Sequence, residues 1–422
     1  MPAAQLQSSG NERASELIRG FDLSRLSRSF LDDPYPTYRA LRELAPIHRL
    51  PDGSFFLTRY DDLANVYRDT ATWSSDKKVD FRPNFADSLL YEHHTTSLVF
   101  NDPPYHTRVR RLLAPAFAPR ALRMLRHRIE KLVDRLLETA AEKAEIDLIA
   151  DFAAAIPVQL IGDMLGIPQD ERGPLRGWSL AILGALEPVL SRRQFDRGVA
   201  AVAEFKDYLD AVISRRLRAG DNDSAEILSK LIEASDYAAN GNEGERLSQL
   251  ELLHNCIFLL NAGHETTTNL IGNAVDLLIR HPAAMEDLRR EPDTIETAVE
   301  EFLRMESSNQ LGNRRAIKAT RLGGIDIASG TYVHICIGAA NRDPDQFPDP
   351  DRLDIRREPN RHLAFATGIH ACAGMSLARM EAQVAIGRLL RRFGRIEAAA
   401  APVRGGRARF RGFSFYPVRL SA

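Results

Sequence analysis

Three cysteines are the residues with most chemistry to offer: Cys256, Cys336 and Cys372. Cys256 lies in an apolar helical run and Cys336 in an alternating apolar one, so both read as small buried hydrophobes. Cys372 differs. In Phe365-Ala366-Thr367-Gly368-Ile369-His370-Ala371-Cys372-Ala373-Gly374, two glycines permit a tight turn that delivers the cysteine to the start of the last helix. Helix-end amides and the positive dipole end stabilise a thiolate there. A second segment, Ala262-Gly263-His264-Glu265-Thr266-Thr267-Thr268, sets the acid Glu265 beside the alcohol Thr266 inside a helix. Such a pair can relay protons into a buried pocket, and Gly263 lets a flat ligand approach the backbone. Threonine hydroxyls bonding back to carbonyls one turn earlier account for the same residues equally well. Third, Glu301 and Arg304 place opposite charges at i and i+3 on one helical face. Taken alone, that spacing reads as an exposed pair worth well under about 1 kcal/mol. Arg342 offers a second arginine downstream.

The elements that must hold these groups are mostly helical. Residues 1 to about 20 read as a flexible lead, and Gly53 to Thr58 as a short strand after a turn. From about 104 to 306 helical periodicity dominates, broken by prolines and by loops at Gly220 and Gly241. Ser248-Gln249-Leu250-Glu251 is a capping box with Leu247 and Leu252 as its staple. The helix it opens can run to Arg280, about 50 Å, and poor helix formers in its middle mark a functional segment. After Arg314 the pattern turns to short strands, with Ile325, Ile327, Val333, Ile335 and Ile337 alternating around Ser329-Gly330. An irregular Pro/Asp-rich stretch, Asp343 to Pro359, follows. A last helix spans about Gly374 to Phe393, and Phe413 to Leu420 reads as a closing hairpin. No repeat or linker appears, so the fold class is mainly α with a small β portion, in one domain from 21 to 422 after the 1–20 lead.

Composition excludes several classes. The 422 residues are 44% hydrophobic and 27% charged, with formal net charge −1, so no global field draws the chain to nucleic acid or an anionic membrane. No apolar run reaches the length of a membrane span or a signal-peptide core. The few scattered cysteines fit a reducing cytoplasm. Seven arginines and no acid lie between Arg108 and Arg128, with Phe117 as the lone aromatic. That argues against a base-stacking nucleic-acid surface.

The cysteine loop resembles the haem-binding signature of the cytochrome P450 family, F-G-x-G-x-H-x-C-x-G, at Phe365, Gly368, His370, Cys372 and Gly374, departing at Ala366 where glycine is usual. Ala262 to Thr267 is similar to that family's A-G-x-E-T-T helix, Glu301 and Arg304 match its E-x-x-R helix, and Arg342 matches the arginine that completes that cluster. The resemblance runs from about Asp33 to the C-terminus.

The resemblance implies a P450 fold with a long central helix over a buried haem, and haem b (iron protoporphyrin IX) as cofactor. Cys372 would be the axial ligand, its electron donation favouring O–O cleavage. Ala262 and Gly263 would line the haem. His106 and Arg110, with Arg314 and His370, would pair the propionates. Glu265 and Thr266 look like the pair that delivers protons to dioxygen, for hydroxylation of a small to medium hydrophobic substrate. Pocket walls would come from Phe81 to Phe100, Trp178 to Leu190, Ser307 to Gly312 and the region of Phe413, with Leu311 among them. Asn309 and Gln310 would hydrogen-bond a polar end. No flavin or iron–sulfur segment is present, so electrons would come from a ferredoxin-like donor and its reductase, docking on the arginine-rich segment. Two rivals share the haem: a peroxide-driven or coupling enzyme, against which Glu265 and Thr266 argue, and a non-catalytic sensor or carrier, against which the apolar pocket segments argue.

Overall fold

Glycines at positive φ and a reciprocal helix cap set the chain's main boundaries in the computed structural model, which describes residues 12, 14–219, 227–235 and 246–421. The Gly220 and Gly241 loops and most of the expected lead lie outside the described residues; within that lead, residues 14–19 are helical. Two units emerge, one with the residues up to Ser74, His281–Cys372 and Val403–Ser414, the other with Ser75–Arg280, Ala373–Pro402 and the residues from Phe415.

The first unit is strand-rich. Gly53, at φ +85°, turns the chain between Ile47–Arg49 and Phe55–Leu57, which pair antiparallel. Phe55–Leu57 then runs parallel to Tyr332–Cys336, with Phe55 opposite Val333 and Leu57 opposite Ile335. Leu311–Ala316 and finally Trp73–Ser74 complete a five-stranded sheet. Alternate residues Val333 and Ile335 are buried with Leu57, Leu63 and Trp73 in one apolar cluster, as a half-buried strand demands. Ile325–Ile327 does not join this sheet. It pairs with Thr320–Leu322 across Gly323 and Gly324, both at positive φ, while Ile337 opens a short helix, Ile337–Ala340. Helix Ile295–Met305 belongs to the same unit, and residues 343–359 carry no helix or strand.

The second unit is helical. Its longest element, Gln249–Arg280, begins with the capping box as spelled: Glu251 N–H donates to Ser248 Oγ at 3.2 Å and Ser248 N–H to Glu251 Oε2 at 2.9 Å, with Leu247 and Leu252 buried beside it. Helices Tyr105–Leu113, Pro119–Ala141 and Met375–Arg392 accompany it. The closing hairpin does not form. Phe413–Phe415 pairs with Val403–Arg404, whereas Pro417–Ser421 lies between Ile146–Asp147 and Arg395–Ala398. Tyr416 separates them because its buried ring is held by a 3.0 Å bond from its hydroxyl to Asp276. Among the described residues no helix is long and apolar enough to cross a membrane.

Candidate functional site

The cysteine loop is shaped by two residues in the left-handed region. Gly368 sits at φ +74°, and a side chain there would meet the Tyr67 carbonyl oxygen at 2.7 Å, so only glycine fits. Ala366 sits at φ +55°. The position where this chain departs from the glycine of the resembled signature therefore keeps a conformation that costs an L-residue about 1 kcal/mol. Its methyl packs against the Leu57–Trp73–Val333 cluster, which offsets part of that strain. Cys372 N–H donates to the Phe365 carbonyl at 2.9 Å and Ala371 N–H to Gly368 at 3.1 Å, closing the loop. The Cys372 sulfur is neither disulfide-bonded nor fully buried. Cys256 and Cys336 are buried, and burial pushes both thiols up to about 12, which leaves them unreactive.

On the long helix, Thr266 Oγ1 donates to the Ala262 carbonyl at 2.6 Å and Thr268 Oγ1 to His264 at 2.9 Å. The back-bonding reading therefore holds for the resting hydroxyls. Glu265 is buried beside them. Ala262 is exposed and Gly263 and Thr266 are partly so, in the middle of a helix whose flanking positions are buried. One face of this helix is thus uncovered at Ala262 and Thr266, with Glu265 buried beside it. A side chain at Gly263 would lie 2.6 Å from Ile161 Cδ1, so helix packing alone accounts for that glycine. The sequence did not reveal that His264 Nδ1 reaches Ser179 Oγ at 3.3 Å.

Glu301 and Arg304 correct the expectation of an exposed pair, for both side chains are fully buried. The guanidinium grips the carboxylate with two bonds, Nε–Oε2 at 2.7 Å and Nη2–Oε1 at 2.8 Å. Nη1 donates to the carbonyls of Asn341 at 2.9 Å and Pro350 at 2.7 Å. The second cation at Glu301 is Arg357, at 3.2 Å, joined by Asn360 Nδ2 at 3.0 Å. Arg342 instead donates to the Met305 carbonyl at 2.8 Å, pairs with Asp351, and lies over the Tyr35 ring. The irregular stretch that covers the helix supplies these groups, and no periodicity announces them.

Other predicted positions divide. His106 is buried on its helix with Arg110 half-buried one turn on, and His370 and Arg314 are buried, Arg314 over the Tyr67 ring. Gln310 is not free to meet a ligand through its amide nitrogen, which donates to the Ser307 carbonyl at 2.7 Å. Leu311 belongs to a core cluster with Tyr38 and Phe56. Asn309 bridges Phe410, and Arg404 covers the Phe413 ring. Of the arginine-rich segment, Arg108 grips Glu251 and the Arg246 carbonyl, while Arg111, Arg120, Arg123, Arg126 and Arg128 are exposed.

These features fit an iron porphyrin. Among the described residues no group of three or more His, Cys, Asp or Glu side chains could hold a bare ion. A porphyrin brings its own nitrogens and asks the protein for one sulfur. Cys372 offers that sulfur on a closed loop.

The family model for cytochrome P450 matches residues 42–398. The chain is 36% identical over 397 residues to cytochrome P450 107B1 of Saccharopolyspora erythraea, covering 90% of this chain and 93% of that one. It is 35% identical over 375 residues to the biotin biosynthesis cytochrome P450 of Bacillus subtilis, covering 87% and 91%. The crystal structure of P450BioI in complex with an acyl carrier protein ligated to hexadec-9Z-enoic acid superposes with a TM-score of 0.86 at 32% identity, covering 93% of this chain and 100% of that one. A chain matched along nearly its whole length by that family model and by these relatives belongs to the cytochrome P450 family, and is a haem-thiolate monooxygenase that takes electrons from a redox partner to oxidise a small organic substrate.

Proposed function

We propose that the Cys372 thiolate would hold the iron of haem b, that Glu265 and Thr266 manage the protons, and that residues 21–422 act as one functional domain. The carrying observation is the Phe365–Gly374 loop, which keeps its left-handed turn even with alanine at 366. When bound, haem with a thiolate ligand supplies dioxygen activation and C–H oxidation. The chain's own part is to hold and deliver protons. Thr266 Oγ1, which donates to the Ala262 carbonyl at rest, would turn to hold its proton toward the pocket, and the Glu265 carboxyl would replace any proton passed on there, itself reprotonated from solvent. His106, Arg110, Arg314 and His370 pair the propionates.

The electron donor is an acidic ferredoxin-like protein served by its own reductase, and the exposed arginines of 111–128 meet it. The substrate is a small to medium hydrophobic molecule, and three cysteines outside any disulfide support work in the cytoplasm. The test is the absorbance of the reduced carbon monoxide complex. Parent protein gives the red-shifted thiolate-type band, and Cys372→Ala loses it. An unaltered thiolate-type spectrum in that variant would overturn the assignment.

A further inference from the structure

The helical unit holds a run of polar side chains that ends in an unused lone pair. Glu92 and His93 lie on helix Leu89–Thr96, Lys206 on Arg192–Ala219 and His254 on Gln249–Arg280. Glu92 Oε1 accepts from Lys206 Nζ at 2.9 Å and meets His254 Nε2 at 2.8 Å. His254 Nδ1 stands 3.3 Å from His93 Nδ1, and both rings are buried.

Burial holds His254 below the usual imidazole range despite the upward pull of Glu92. Burial, with His94 and His254 beside it, holds His93 well below that range. Both are therefore neutral at pH 7, and a neutral imidazole carries a single N–H. The Glu92 carboxylate only accepts, so the hydrogen of His254 sits on Nε2 and its Nδ1 is a bare acceptor. His93 must then place its own hydrogen on Nδ1, and its Nε2 is left as a lone pair that no described residue meets. The ring is 2% exposed, yet this nitrogen is not sealed off, so its hydrogen bond comes from outside the chain. Its surroundings are aromatic: His94, with its ring 5.2 Å from His93, is flanked by Phe81, Phe85 and Phe100 at 5.5, 5.2 and 5.6 Å.

We propose that His93 is a specificity residue whose Nε2 accepts a hydrogen bond from a hydroxyl group on an otherwise apolar, ring-bearing substrate. The array from Lys206 through Glu92 and His254 fixes the tautomer that keeps this lone pair free. A charged donor is disfavoured because the site is buried. The assignment deepens the monooxygenase reading and rests on it.

The test is equilibrium dialysis of haem-loaded protein against para-hexylphenol and para-hexyltoluene, in which a methyl replaces the hydroxyl. The parent binds the phenol about tenfold more tightly, the size of one buried hydrogen bond. His93→Phe removes that preference. His93→Gln, whose amide oxygen reaches the Nε2 position, keeps part of it, and Glu92→Gln weakens it by freeing the tautomer. A merely structural role would weaken both ligands alike. Equal binding of the pair by the parent, binding of neither, or an undiminished preference in His93→Phe overturns the proposal. The carbon monoxide spectrum of the same samples separates the readings, since loss of the thiolate band in the parent sinks the haem assignment and not the role of His93.

Discussion

Replacing Glu381 with glutamine should stabilise the protein, and by an amount that grows with pH. Glu381 lies on helix Met375–Arg392, is 2% exposed, and has a carboxyl oxygen that no described residue bonds. Burial alone pushes its carboxyl up from the ordinary 4.5 to about 8. The folded protein therefore binds a proton that the unfolded chain has already released between those two values, and stability falls as pH rises through that window. At pH 7 the gap is about 2.5 units, or roughly 3 kcal/mol at about 1.4 kcal/mol per unit. At pH 5 it shrinks to about 1 kcal/mol, and above pH 8 it levels near roughly 5 kcal/mol. Glutamine keeps the shape and the cost of a buried neutral polar group but cannot ionise. Urea unfolding of parent and Glu381→Gln at pH 5, 6, 7 and 8 should give midpoints that diverge steadily in favour of the variant. A constant difference across that range, or a variant that is weaker at pH 8, would refute the reasoning.

Glu306 should act in the opposite sense. Burial pushes its carboxyl upward, but the guanidiniums of Arg411, Arg404 and Arg342 outweigh that and hold it at about 2. Its stabilisation is complete above pH 4.5 and is lost as pH falls toward 2, so Glu306→Gln should flatten the acid limb of a melting-temperature profile. Arg304→Ala leaves Glu301 charged and buried, a loss of about 3–5 kcal/mol. Arg304→Lys cannot restore the fork, so thermal melting should place it nearer alanine than parent. Thr266→Ala should keep haem and substrate binding but divert electrons to peroxide, read as the ratio of product to reductant consumed; unchanged coupling sinks that role. Charge reversal at Arg111 or Arg123 should slow reduction by a ferredoxin in a salt-dependent way, checked by stopped flow at low and high ionic strength.

Local grammar was legible, and long-range partnership was not. The cap at Ser248–Glu251 is written in four consecutive residues, and the Cys372 loop in ten, so both could be read without knowing the fold. Arg357 could not be assigned to Glu301, because 56 residues separate them and the stretch between has no period to follow. Gln310 reads as a polar residue near a pocket until tertiary burial turns its amide onto Ser307. The tail alternates like a hairpin, yet its two strands pair in different sheets because Tyr416 is drawn to Asp276. The His93–His254 contact joins elements 161 residues apart and leaves no trace in spacing.

The grip of Arg304 has a consequence for how this chain can diverge. Through Nη1 and Nη2 it collects the backbone oxygens of Asn341, Pro350 and Arg352, while Arg357 takes those of Pro348 and Asp349. Every amino acid has a carbonyl, so side chains at 348 to 352 can drift without loosening these bonds. Adding or deleting one residue would swing the oxygens out of reach. The segment is conservative in length and permissive in letter, like a crown ether wound around its cation.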